Sequence, residues 1–117
     1  MTSPTFTIRM ITIDCLNPGA LAEFWSAATD RPVLADHGDF VIVDSRPLLG
    51  FQRVDSPTPG KNRIHFDVGS SDREALVGRL RQLGAVEHET YTVPGLTWTV
   101  MRDLEGNVFC IGNSHND

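Results

Sequence analysis

The chain contains an internal repeat. Residues 8–25 and 63–80 form two copies of one strand-then-helix pattern, 55 positions apart. When the copies are aligned, their apolar strand positions coincide, and an Ala-Leu pair in the following helix is identical. Met10 in the first copy stands opposite His65 in the second. Two similar modules that face each other enclose a shared cavity, so the repeat predicts a two-module fold with a ligand site.

The first copy and the segments that follow it predict one module. A strand is predicted over 7–15, and Asn17 with Pro18 supplies the side-chain cap and first-turn proline of a helix start. Apolar residues then recur at helical spacing, and the helix should end before Pro32. Turn residues separate three further predicted strands, at 32–35, 40–44 and 48–54. The first module is therefore strand–helix–strand–strand–strand.

The second copy repeats this order. A strand over 63–70 leads into 71–74, whose sequence Ser-Asp-Arg-Glu is a capping box, and Gly84 is placed as a helix C-terminal glycine. The buried stripe of this helix is predicted as Leu76, Leu80 and Leu83, and the later strands as 85–93, 96–103 and 108–111. The organisation is βαβββ twice, an α+β fold. We expect a single domain over 1–117, with module 1 at about 7–54, a linker at 55–61 and module 2 at about 62–111.

Composition narrows the class of function. The formal net charge is −5 and the basic residues form no run, which excludes nucleic acid as a partner because phosphate binding requires a basic face. No apolar stretch approaches the ~20 residues that span a bilayer, and the first residues lack the apolar region of a signal peptide. Cys15 and Cys110 do not make a disulfide framework. We expect a cytoplasmic protein with free thiols and no membrane partner.

Alternation divides the first strand of the second module into two faces. His65 and Asp67 share the polar face, which should point at the cavity. The apolar face is expected to pack on the leucine stripe of the helix and consists of Ile64, Phe66 and Val68. His65 has two interpretations, a functional group or a half-buried histidine satisfied by Asp67 or a backbone carbonyl.

Four motifs occur in order along the chain, at 14–18 with 21–25, then 61–68, 79–85 and 103–110. Together they make the sequence resemble the vicinal oxygen chelate superfamily, and more narrowly its glyoxalase-like domain proteins. The resemblance covers essentially the whole chain. It implies that the two modules form a curved, barrel-like mixed sheet around a shared cavity, with the helices outside, and that the protein is a homodimer.

The resemblance also implies four metal-ligand positions, on the first and the last strand of each module. They fall on Met10, Gln52, His65 and Cys110, where metal-dependent members carry His and Glu. A thioether and a neutral amide supply no charge to offset a divalent cation. We therefore expect no functional metal and no other cofactor, and a divalent ion, if present, would be held by His65 and Cys110.

The pocket implied by the fold has a mixed lining. On the resemblance, the expected ligand-binding residues are Met10, Thr12, Gln52, His65, Asp67, Cys110 and Trp98. Trp98 shares one strand face with Leu96 and Val100, and the sequence leaves open whether that face or the opposite one lines the pocket. Further pocket candidates, with a core or surface position as the alternative, are Phe40, Phe51, Arg53 and Arg63.

His65 and Cys110 are the candidate catalytic pair. A nucleophilic cysteine needs a lowered pKa and an adjacent base, which His65 on a neighbouring strand would supply. The sequence offers no third, orienting group, and a cysteine is more often a small buried apolar residue. Cys15 and Trp25 are expected in the core.

Three functions remain open from the sequence. The first is a small-molecule-binding protein without a functional metal, which either sequesters its ligand, as bleomycin-resistance-type members do, or catalyses an unassigned reaction. The second is a metal-dependent lyase, isomerase or dioxygenase, in which an ion chelates two adjacent substrate oxygens, and Met10 argues against it. The third is a non-catalytic dimeric interaction module, which would be favoured if side chains filled the cavity. We expect the first.

Overall fold

A computed structural model of the chain describes residues 3–113. The chain divides into two compact units, Met1–Pro57 and Thr58–Asp117, with the boundary inside the segment 55–61. Neither helix in the described part of the chain is long and apolar enough to cross a membrane. The elements are β1 (Met10–Cys15), α1 (Pro18–Thr29), β2 (Val33–Asp36), β3 (Phe40–Val43), β4 (Leu48–Arg53), β5 (Phe66–Ser70), α2 (Arg73–Gln82), β6 (Val86–Val93), β7 (Leu96–Arg102) and β8 (Val108–Asn113).

Each unit is a βαβββ module, which confirms the predicted α+β fold and element order. The strand orders are β1-β4-β3-β2 in the first sheet and β5-β8-β7-β6 in the second. In each sheet the first and last strands of the module pair in parallel, and the other pairs are antiparallel. The first strand of each module begins three residues later than predicted, β1 at Met10 rather than at residue 7 and β5 at Phe66 rather than at residue 63. His65 therefore precedes its strand.

Helix α1 begins where its cap predicts. The Asn17 side chain accepts a hydrogen bond from the backbone N–H of Ala20 at 3.1 Å, and Pro18 is the first helical residue. The face of α1 that packs on the sheet includes Trp25, which is only 3% exposed. Cys15 at the end of β1 is fully buried. Both residues therefore belong to the core of the first unit, as expected.

Phe51 belongs to the same core, which is the alternative position that the sequence left open for it. It is fully buried and alternates along β4 with Gly50 and Gln52, which point to the opposite face. An aromatic ring of this size supplies much of the apolar area that a small unit has available to bury.

Helix α2 begins one residue later than the predicted capping box. Asp72 rather than Ser71 is the N-cap, and its carboxylate accepts a hydrogen bond from the backbone N–H of Ala75 at 3.1 Å. A carboxylate also interacts favourably with the positive end of the helix dipole. This favours Asp72 over the neighbouring serine as the cap.

The buried face of α2 is likewise displaced from the predicted leucine stripe. Val77 and Leu80 are buried, whereas Leu76 and Leu83 are only half-buried. Ile64, expected to pack on this helix, is 78% exposed because it precedes the start of β5. Val77 and Leu80, which lie three positions apart on one face of α2, therefore make its central contact with the sheet.

Strand β7 separates the core of the second unit from the face turned away from α2, which we call the open face. Thr99 and Met101 are fully buried on the helix side. Trp98 and Val100 alternate with them and lie on the open face, where Val100 pairs with Cys110 of β8. Trp98 therefore lies on the same open face as Cys110.

Candidate functional site

Three of the predicted site residues converge near the start of β5. Asp67 is the register partner of Cys110 in the parallel strand β8. His65 lies two positions before Asp67, and its Nε2 is 3.5 Å from Asp67 Oδ1. The imidazole, carboxylate and thiol atoms that could bind a ligand all lie within 4.8 Å of one another. The β5–β8 pairing thus brings together residues that are distant in the sequence.

A pocket of about 490 Å³ lies on the open face. Three predicted residues line it, namely His65, Trp98 and Cys110, and Asp67 lies beside it through its contact with His65. Val100, which shares the face of Trp98, lines it as well. The remaining lining residues were not predicted from the sequence and are Lys61, His88, Glu89, Tyr91, Arg102 and Val108. All the lining residues belong to the second unit.

Tyr91 and Trp98 form an aromatic pair across strands β6 and β7. They are register partners, with ring centroids 5.6 Å apart and ring planes inclined by 27°. Counting outward from the Pro94-Gly95 turn pairs these two positions. The hairpin register is therefore the sequence signal that would have identified Tyr91.

Glu89 and Arg102 add fixed polarity to the pocket. Glu89 raises the pKa of the Tyr91 phenol, first by accepting its hydrogen bond and then through its negative charge. The Tyr91 phenol thus acts as a hydrogen-bond donor to the Glu89 carboxylate. Arg102 Nη1 donates to the carbonyl oxygen of Gly106 at 2.7 Å, which orients the guanidinium at the pocket wall.

The electrostatic environment of Cys110 does not favour a thiolate. Burial raises the pKa of its thiol, the negative charge of Asp67 raises it further, and the positive charge of Lys61 opposes the change. A thiol with a raised pKa is mainly protonated at neutral pH. The proximity of His65 therefore does not by itself make Cys110 an activated nucleophile.

The first unit holds its own cluster of predicted residues. A Cβ added at Gly50 would lie 3.1 Å from Met10 Sδ and 3.0 Å from both Thr12 Oγ1 and Phe40 Cε1. The side chains of Met10, Thr12 and Phe40 thus meet above Gly50, which has no side chain. The exposed Gln52 lies two positions further along β4. That they share a cavity with the second-unit residues stays a prediction.

Arg53 and Arg63 lie on the surface. Arg53 Nη1 is 4.0 Å from Asp39 Oδ1, and both side chains are largely exposed. Arg63 is exposed and does not line the pocket of its own unit. Of the two possibilities that the sequence left for each, the surface position describes both residues.

The donor atoms at the four implied metal positions do not fit the divalent metal of this fold family. Met10 offers a thioether, Gln52 a neutral amide, and Cys110 a thiol whose raised pKa disfavours the thiolate that binds metal. Asp67 adds a carboxylate 3.5 Å from His65 Nε2, but it lies in the second unit and replaces neither Met10 nor Gln52 in the first. Only His65 is an unambiguous ligand among the four positions.

Two other depressions in the second unit lie against helix α2. Their volumes are about 840 and 390 Å³, and both are lined by Arg81 and Glu87, which form an ion pair at 3.6 Å. Neither contains a site residue predicted from the sequence. The 490 Å³ pocket is therefore the candidate site.

Solved structures share this fold. A glyoxalase/bleomycin resistance protein/dioxygenase family enzyme from Burkholderia phytofirmans PsJN matches with a TM-score of 0.79 and 21% identity, over 90% of this chain and 96% of that one. Lactoylglutathione lyase from Agrobacterium tumefaciens matches with a TM-score of 0.69 and 18% identity, over 95% and 96% of the two chains. TioX from Micromonospora sp. ML1 matches with a TM-score of 0.67 and 16% identity, over 92% and 98%. At these identities the likeness establishes the fold alone.

One of two sequence comparisons identifies a family. Comparison with curated protein sequences gives no significant match. The glyoxalase-like domain family matches residues 10–112, which is nearly the whole chain. The protein therefore belongs to the glyoxalase-like domain family, as the four sequence motifs predicted.

Proposed function

We propose that this protein binds a small molecule in the pocket of its second unit and does so without a functional metal. The pocket itself is the observation that carries the proposal. Its volume of about 490 Å³ lies within the roughly 300–1,000 Å³ that is usual for ligand sites. Aromatic side chains together with a few convergent polar groups are the usual lining of such sites.

Sequestration of the ligand agrees with the chemistry of the pocket better than covalent catalysis does. Cys110 is the nucleophile candidate in the pocket, and the pKa of its thiol is raised by burial and by Asp67. Asp67, the acidic partner of His65, is the same group that disfavours the Cys110 thiolate. The arrangement therefore lacks the lowered thiol pKa that a Cys–His pair needs.

Metal-dependent lyase, isomerase or dioxygenase chemistry is the second candidate function. One observation favours it, which is the clustering of His65, Asp67 and Cys110 within 4.8 Å. Those three donors belong to one unit, whereas the fold family takes its ligands from both modules. Met10 and Gln52 weaken the donor set that would complete the site.

Metal analysis and native mass spectrometry of the purified protein decide between these functions. We expect substoichiometric Mn, Fe, Ni and Zn, and a small-molecule adduct that is retained in Arg63→Gln and lost in Trp98→Leu. Arg63→Gln is the control, because Arg63 is an exposed residue of the same unit outside the pocket. Stoichiometric metal that disappears in His65→Ala would overturn the proposal in favour of the second candidate.

The same spectra test the interaction-module alternative. The pocket is not a ligand site if the protein is a dimer that carries neither metal nor small molecule and binds none of three added probes, which are 2-naphthoate, 2-naphthalenemethanol and decanoate. We expect instead a homodimer whose adduct depends on Trp98.

A further inference from the structure

We infer that the ligand of this pocket is a flat aromatic molecule that carries a negative charge. This inference rests on the proposed function, namely that the pocket binds a small molecule. It adds a ligand class that follows from an aromatic pair and two cationic side chains on one surface.

The aromatic part of the inference rests on Tyr91 and Trp98. Both line the pocket, and their rings stack with a centroid distance of 5.6 Å. The β6–β7 register holds the pair in place, so little side-chain freedom is left to lose when a ligand binds. Tyr91 is 44% exposed, which leaves ring surface available to a further aromatic group. A flat ligand would extend the existing stack.

The anionic part rests on Lys61 and Arg102. Lys61 is the only lysine in the sequence, and it lines the same pocket as Arg102. Among residues 3–113 neither side chain takes part in an ion pair. Two cations without an acidic partner on a pocket wall favour a carboxylate, sulfonate or phenolate on the ligand.

The acidic groups near the pocket already have partners. Glu89 is the carboxylate that lines it and accepts a hydrogen bond from Tyr91. Asp67, beside the pocket, contacts His65 at 3.5 Å. Neither carboxylate forms an ion pair with Lys61 or Arg102 among residues 3–113, so both cations remain available to an anionic ligand. Lys61 and Arg102 thus bring two cations to one pocket of a chain whose net charge is −5.

Isothermal titration calorimetry with three probes separates the two parts of the inference. The probes are 2-naphthoate, which is aromatic and anionic, 2-naphthalenemethanol, which is aromatic and neutral, and decanoate, which is anionic without a ring. We expect 2-naphthoate to bind about fivefold more tightly than either of the other two, and its advantage over the alcohol to fall as salt is added.

Variants assign each preference to a side chain. Lys61→Gln should reduce the preference for 2-naphthoate over the alcohol and leave the Kd of the alcohol unchanged. Trp98→Leu should weaken both aromatic probes by about tenfold. If Trp98→Leu does not fold, Tyr91→Leu tests the same stack, with Tyr91→Phe as its ring-retaining control. Arg63→Gln makes the same change in net charge as Lys61→Gln outside the pocket and should bind all three probes like the parent protein.

The outcomes distinguish the charge inference, the aromatic inference and the proposed function. Equal binding of 2-naphthoate and the alcohol, or an equal loss of both in Lys61→Gln, would overturn the charge inference and leave the proposed function standing. Decanoate binding as tightly as 2-naphthoate would overturn the aromatic inference in the same way. If no probe binds and the native protein carries no adduct, the proposed function and the inference both fail.

Discussion

At the scale of single residues, the pKa of the Cys110 thiol depends on two charged neighbours. Its thiol is half-buried between a carboxylate on β5 and the sole lysine of the chain, and those two charges act on it in opposite directions. Burial and Asp67 together prevail over Lys61, so the thiol pKa is raised. Lys61, which we propose binds an anionic ligand, therefore also lowers the pKa of the Cys110 thiol, against the larger effects of burial and Asp67.

Opposite charge changes should move the reactivity of Cys110 in opposite directions. Removing the negative charge in Asp67→Asn should lower the thiol pKa and speed alkylation by iodoacetamide at pH 8, because more thiolate is present at that pH. Removing the positive charge in Lys61→Gln should raise the pKa and slow it. We expect changes of roughly twofold to fivefold for one nearby charge at a partly exposed site. Peptide mass spectrometry across a pH series measures them.

The chain offers two internal controls for this experiment. Cys15 is fully buried and should stay unmodified while the protein is folded. Arg63→Gln changes the net charge by the same amount as Lys61→Gln and should leave the rate at Cys110 unaltered. Rates that shift in the same direction in Asp67→Asn and Lys61→Gln would contradict the electrostatic account.

At the scale of elements, helix α2 ends at the C-terminal glycine that the sequence predicts, Gly84. Gly84 follows the C-cap residue Leu83 and has a φ of +111°, a conformation that L side chains rarely adopt. A Cβ there would also lie 2.6 Å from Leu104 Cδ2. Both its backbone and its surroundings therefore call for glycine. Gly78, inside the same helix, has nothing within 4 Å of the position that a Cβ would occupy.

The two glycines should respond oppositely to the same substitution. Gly84→Ala should lower the free energy of unfolding by about 1–2 kcal/mol, because a residue with a Cβ is sterically strained in the left-handed conformation. Gly78→Ala should raise it by about 0.5–1 kcal/mol, because alanine loses less backbone entropy in a helix interior. Urea unfolding followed by circular dichroism measures both. A neutral Gly84→Ala, or a Gly78→Ala that destabilises the protein, would contradict this account of the helix.

At the scale of the whole molecule, each unit contains one tryptophan. Trp25 lies in the core of the first unit and Trp98 lies on the open face of the second sheet. The sequence predicts a single domain over 1–117. Units of this length bury too small a fraction of their surface to be more than marginally stable alone.

The single-domain prediction implies one cooperative transition. In Trp98→Phe the fluorescence reports the first unit, and in Trp25→Phe it reports the second. In each variant, we expect the fluorescence transition in urea to coincide with the circular dichroism transition of the whole chain. Comparing the two probes within one variant cancels any stability cost of the substitution itself. Fluorescence and dichroism midpoints that differ within a variant would show that the units unfold separately.

The elements were predictable because their signals are local. The Asn17-Pro18 cap, the helical spacing around Trp25 and the glycine at Gly84 each act within a few residues, and each lies where the sequence placed it. Where two neighbouring residues compete for one role the sequence was less decisive, as with Ser71 and Asp72 at the start of α2. Such choices depend on small differences in capping energy, on the order of 1 kcal/mol or less.

The pocket required long-range information. Alternation placed Trp98, but only the packing of Thr99 and Met101 under α2 decided which face it occupies. Lys61 lies in an irregular segment without periodicity, so no local pattern relates it to Cys110, and the raised thiol pKa depends on burial together with charges from other segments.

The sequence by itself determined the repeated βαβββ order, the start of α1, the end of α2, and the weak donor atoms of Met10 and Gln52, because caps, periodicity and donor chemistry are properties of neighbouring residues or single side chains. Only the tertiary structure decided that Lys61, Tyr91 and Arg102 join His65, Trp98 and Cys110 around one pocket. Strand pairing and loop placement bring these groups together, and both are set by contacts between residues far apart in the chain.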